Sequence, residues 1–122
     1  MNMNKFTQKS LEAVQEAQNI AIELGNIQID QEHILYSLLS QEGGLIHQLF
    51  TKMNIDIMEL TRSIKVVINR KPKVGGPGRE VGKIYISQDV DNIFLSAEEN
   101  AKHMQDEYIS VEHIMLGIFD RG

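Results

Sequence analysis

Apolar residues recur at helical spacing along this chain in six separate stretches. Between residues 7 and 24, Ala13, Val14, Ala17, Ile20, Ala21 and Leu24 fall at i, i+1, i+4, i+7, i+8 and i+11. That is one face of a helix, with Thr7 as its cap and Gly25-Asn26 as its stop. A second helix is expected from Asp30, with Ile34, Leu35, Leu38 and Leu39 inward and Gly43-Gly44 at its end. A third runs from about Leu45 to Met53 and is closed by Asn54, and a fourth, capped by Asp56, runs to about Asn69. A fifth begins at Ser87 and turns Val90, Ile93, Phe94, Ala97, Ala101 and Met104 inward, and a sixth starts at Ser110 and uses Ile114, Met115, Ile118 and Phe119. The segment "RKPKVGGPGREVGK" holds both prolines and four of the nine glycines, so it reads as a loop. "IYIS" after it reads as a short extended piece. The pattern predicts an all-α fold.

The pattern also repeats. At an offset of 80, Thr7 falls on Ser87, Gln8 on Gln88, and the stripe at 13, 14, 17, 21 and 24 on apolar 93, 94, 97, 101 and 104. Glu32-His33-Ile34 falls on Glu112-His113-Ile114, each after an isoleucine and a capping residue. Stripe, turn and tripeptide in one register point to an internal duplication, two copies of one helical unit packed on each other. The second copy is expected to be truncated, since counterparts of residues 43 to 69 would lie beyond residue 122. A fragment of this kind is expected to expose apolar surface, and to be less stable than a complete domain or weakly self-associated.

Composition changes this picture little. The chain has 42% hydrophobic and 24% charged residues, as a globular domain does, and 122 residues suit one domain. No apolar run approaches a membrane span, and the N-terminus lacks the apolar core of a secretory signal, which suits a cytoplasmic protein. Without cysteine there are no disulfides or thiolate metal sites. The net charge of −5 is uneven: Arg62, Lys65, Arg70, Lys71, Lys73, Arg79 and Lys83 crowd into one stretch with a single acid, Glu80. With only Tyr85 as a nearby aromatic, this stretch reads as a solvated helix end and linker rather than a nucleic-acid site.

Catalytic chemistry finds no support. A Walker A loop needs Gly, four residues, then Gly-Lys-Ser/Thr. Counting back from Gly82-Lys83 lands on Pro77, and Ile84 stands where the hydroxyl belongs. No His-Glu-x-x-His or comparable metal spacing occurs. His33 and His113 read as buried structural histidines, His47 and His103 as surface residues. Glu32 and Glu112, in the first turns of their helices, meet free N–H groups and the positive dipole end.

At the repeated motif, "IDQEHILYSLLSQEGG" and "DEYISVEHIMLGIFDRG", the chain resembles the N-terminal domain of Clp-family AAA+ unfoldases, with "SQEGGLIHQLF" on the side of the ClpB-type disaggregase branch and the ClpC type as the nearest rival. The resemblance covers residues 1–122. It implies repeat one at 1–70, a linker at 71–86 and a partial repeat two at 87–122. The family's usual Gly-His before the first motif stands here as Gly25-Asn26, and the residue before each Glu is Gln31 or Val111 rather than Thr. The resemblance implies a non-catalytic, substrate-engaging module of a homohexameric, ATP- and magnesium-dependent ring, whose partners are unfolded or aggregated polypeptides or a folded adaptor protein. It places client contacts at Thr7, Asp106 and Glu112. The ClpC-type alternative is a phosphoarginine receptor pairing Thr7 with Glu32 and Ser87 with Glu112. No cofactor, metal, nucleic acid or membrane is expected for this chain.

Overall fold

A computed structural model describes residues 3–41, 43–73 and 85–121. The loop reading over 74–84 lies outside the described residues. A short 3-10 turn at Met3–Lys5 leads into α1 (Gln8–Glu23), then β1 (Gln28–Ile29), α2 (Gln31–Ser40), α3 (Leu45–Lys52), α4 (Ile57–Asn69), β2 (Tyr85–Ile86), α5 (Gln88–His103) and α6 (Val111–Arg121). The helices start where the capping residues stand. The Thr7, Asp56 and Ser87 side chains accept the backbone N–H groups of Ser10, Glu59 and Val90, each meeting an otherwise unpaired donor of the first turn.

Residues 80 apart make the same contacts. α1 and α5 both end by turning through the left-handed region, at Gly25 (φ 73°) and at Gln105 (φ 60°), and the next residue's N–H reaches back to Ala21 and Ala101 respectively, each 2.8 Å. Glycine adopts that conformation without a Cβ penalty, whereas glutamine bears one. Ala13, Ala17 and Ala21, like Ala97 and Ala101, are buried, so α1 lies close on α2 and α5 close on α6.

The two copies are stitched crosswise by short parallel pairings that helical periodicity does not reveal. β1 pairs with β2 in the register Gln28↔Tyr85 and Ile29↔Ile86. Its counterpart is the bridge Phe6↔Ile109. Thr7 N–H donates to the Ile109 carbonyl (3.0 Å) just as Ser87 N–H donates to that of Ile29 (2.9 Å). The lead-in to each copy's first helix thus pairs with the lead-in to the other copy's second helix. Ile29, Ile109, Phe6 and Phe94 gather there in the core, with Phe6 edge-on to Phe94 at 5.3 Å and 85°.

The predicted inward faces hold for α1, α2 and most of α5, with two exceptions. Met104 is 53% exposed and Phe119 62% exposed. Met104 is the C-cap of α5, past the last turn that packs on α6. Phe119 corresponds to Leu39, which is 2% exposed. Leu39 is covered where α2 packs against α3 and α4, whereas among the described residues α6 meets α3 and not α4 in the same way. The first residues after α4 are tied to the first copy: Lys71 reaches Asp30 and Glu32, and Lys73 pairs with Asn26 in an antiparallel bridge.

Candidate functional site

Each repeated motif builds the same polar node. In the second copy the Ser110 backbone N–H donates to His113 Nδ1 (2.9 Å), and His113 Nε2 lies 2.9 Å from Asp106 Oδ2. In the first, Asp30 N–H donates to His33 Nδ1 (2.9 Å), and His33 Nε2 lies 2.9 Å from Asn26 Oδ1. A backbone N–H can only donate, so Nδ1 is the acceptor, the proton sits on Nε2, and Nε2–H donates to the carboxylate or amide oxygen. Both imidazoles are buried, as a structural histidine should be. They lock the chain reversal before α2 and α6, which leaves Glu112 exposed in the second copy and Glu32 partly buried in the first.

Burial is the largest influence on His33 and holds its pKa below the ordinary 6.5; Lys71 pushes the same way, and the nearby Asp30 and Glu32 carboxylates push back without reversing it. A folded-state pKa below the unfolded one means the unfolded chain takes up a proton first on acidification. This contribution to stability is therefore complete above pH 6.5 and is lost progressively below it, down to the folded-state pKa. The urea midpoint is expected to fall between about pH 7 and pH 5. A midpoint constant over that range would contradict it.

The acceptors of the two nodes differ, Asn26 against Asp106, which supplies a clean variant. Asp106→Asn reproduces the first copy's acceptor while removing a charge, so stability is expected to change by less than about 0.5 kcal/mol. Asp106→Ala leaves the buried His113 N–H without its partner, at a cost of about 1–3 kcal/mol. Thermal melts of the two variants check this.

Thr7 and Glu112 line one groove of about 500 Å³ with Lys9, Leu45 and Val111, between the N-termini of α1 and α6 and the turn joining α2 to α3. The Thr7 hydroxyl accepts from Ser10 N–H and donates to Ser10 Oγ (2.9 Å), which donates to the Ile109 carbonyl (2.9 Å). The floor is thus fixed by hydrogen bonds across the two copies. Glu112 is exposed, and Leu45 is 50% exposed. Asp106 does not line this groove; its half-exposed carboxylate is held by His113, one residue from Glu112.

The crosswise stitching changes the expected pairs. Thr7 shares its groove with Glu112, while Ser87 bonds to Ile29 at the head of the helix carrying Glu32. The Ser87 side chain is 5% exposed and is spent on its capping bond. Glu32 is also engaged: Lys71 Nζ lies 3.2 Å from both its carboxylate and that of Asp30. Burial lowers the Lys71 pKa, yet hydrogen bonds and charge from the two acids outweigh it and hold the ammonium above its usual value. The two acidic clefts are therefore not equivalent, since no lysine is paired to Glu112 among the described residues. Repeat symmetry in the sequence hides this, because Lys71 belongs to neither motif. Among the described residues there is no group of three or more His, Cys, Asp or Glu placed to hold a metal, and no helix is long and apolar enough to cross a membrane.

Residues 5–122 match the family described as the Clp repeat (R) N-terminal domain. The chain is 39% identical over 116 residues to the chaperone protein ClpB of Bacillus anthracis, an alignment covering 95% of this chain and 13% of that protein, so it spans about one eighth of the relative's length. The fold is similar to the Hsp104 N-terminal domain from Candida albicans (TM-score 0.85, 17% identity, 97% of this chain and 75% of that one). It is also similar to the ClpV N-domain in its complex with a VipB peptide (TM-score 0.78, 15% identity, 98% and 70%). With the family profile matched over nearly its whole length, this chain belongs to the Clp N-terminal domain family.

Proposed function

We propose that this chain is a client-engaging domain, which holds extended segments of unfolded or aggregated polypeptide weakly in the Thr7/Glu112 groove. A hexameric, ATP-driven disaggregase ring, to which such a domain would be attached in the cytoplasm, would then take them up. The observation that carries the reading is the groove itself. It combines an exposed carboxylate that pairs with no lysine among the described residues, a fixed hydroxyl, two helix N-termini and the half-exposed Leu45. An extended backbone brings N–H and C=O groups with alternating side chains, and such a floor suits both. The ClpV N-domain, a relative in fold, takes a VipB peptide. Weak binding fits the role, because a tightly held client would not pass on.

A receptor for phosphoarginine at two equal sites is disfavoured by Lys71, which already holds Glu32 and Asp30. Titration of the isotopically labelled chain with a permanently unfolded polypeptide tests the proposal. Amide resonances of Thr7, Gly43, Leu45 and Glu112 are expected to move together and saturate. Shifts confined to other surfaces, or none, would overturn it.

A further inference from the structure

We propose that the client groove continues into a second, basic-rimmed groove that selects apolar segments carrying acidic residues. The inference rests on the client reading above and adds the chemistry of the segment. The second groove, about 850 Å³, lies between the end of α2, α3 and the start of α4. Leu39, Ile57 and Met58 supply its apolar surface, and His47, Arg62 and Lys65 its rim. Met58 is 76% exposed, although it is a large apolar side chain on a folded helix.

No carboxylate stands among the described lining residues. Among the described residues Arg62 is ion-paired to Glu59, its helical neighbour, at 2.8 Å; both side chains are more than 60% exposed, so that pair is easily exchanged for a ligand's carboxylate. The two grooves adjoin at the turn after α2, where Gln41 and Gly43 line both. A segment lying in the Thr7/Glu112 groove that extends past this turn reaches apolar surface edged by positive charge. Charge complementarity there favours Asp and Glu among apolar residues and disfavours Lys and Arg. Part of the basic stretch that reads as a solvated helix end in the sequence thereby acquires a role.

The test uses fluorescein-labelled peptides of about 16 residues, alike in their apolar positions and carrying Asp/Glu, Lys or Gln elsewhere, titrated by anisotropy in about 20 mM and about 300 mM NaCl. The acidic peptide is expected to bind about fivefold more tightly than the lysine peptide, the advantage shrinking at high salt. Arg62→Glu/Lys65→Glu changes two exposed helix positions, so helicity should be retained and the order of the charged peptides should reverse. Equal binding of all three peptides, unmoved by the double variant, overturns the inference and leaves the client reading intact. Failure of every peptide to bind overturns both. Displacement of the acidic peptide by an equimolar DNA oligonucleotide overturns it in favour of a general polyanion site.

Discussion

Phe94→Ala is expected to lower the melting temperature by about 12–20 °C, from a loss of about 3–5 kcal/mol for a buried aromatic truncated to alanine and about 4 °C per kcal/mol in a chain of this size. Phe94 is fully buried and stands edge-on to Phe6. The ring holds three things together. α5 carries it, Phe6 belongs to the lead-in that pairs with Ile109, and Ile109 heads α6. A cavity there would loosen the crosswise stitch, and with it the Thr7 and Glu112 ends of the client groove. Leu95→Ala is the control, since Leu95 is next in sequence but 47% exposed and should cost less than about 1 kcal/mol. Equal losses for the two would show that the stitch is not where the core is concentrated.

Gly117→Val is expected to destabilise by about 3 kcal/mol or more, against the roughly 0.3–0.5 kcal/mol by which valine improves on glycine in a helix. A Cβ at Gly117 would sit 2.5 Å from the Ile93 carbonyl oxygen and 3.2 Å from that residue's side chain, so α6 must move off α5. The first copy shows what the alternative looks like. Its counterpart, Ser37, sends its hydroxyl 2.6 Å to the carbonyl of Ala13, the residue corresponding to Ile93. There the helix contact is made through a hydrogen bond, and in the second copy through direct backbone approach. Gly117→Ala is the milder test, and it too should lose stability. A gain measured by urea unfolding would mean that helix propensity outweighs packing at this contact.

Much of this fold is legible in the sequence because it rests on local rules. Thr7, Asp56 and Ser87 cap where small polar residues precede apolar stripes, and α4 runs from Ile57 to Asn69 as its stripe indicates. The duplication is legible because node, turn and stripe share one offset. The stitch is not, since two-residue pairings leave no periodicity, and Phe6 and Ile109 meet across most of the chain. The exposure of Phe119 was hidden for a related reason: a stripe tells which face is apolar, not which neighbour covers it. Of the candidate site, Thr7 and Glu112 are implied by the family resemblance, but their sharing of a groove follows from the crosswise pairing. Asn26 and Lys71 had no signal of their own. Asn26 acquires a role only as the counterpart of Asp106, and Lys71 only through the two acids it meets in space.

The central claim, that the groove shared by Thr7 and Glu112 engages unfolded polypeptide, is tested most directly by anisotropy of a fluorescent, permanently unfolded protein titrated with the chain and with Asp106→Asn/Glu112→Gln. Both substitutions leave the fold's hydrogen bonds in place, the first by reproducing Asn26 and the second at an exposed position. The dissociation constant is expected to rise about five- to tenfold, as for losing a charged hydrogen-bonding group at a partly wet site, with the melting temperature unchanged. Undiminished affinity in that variant would contradict it.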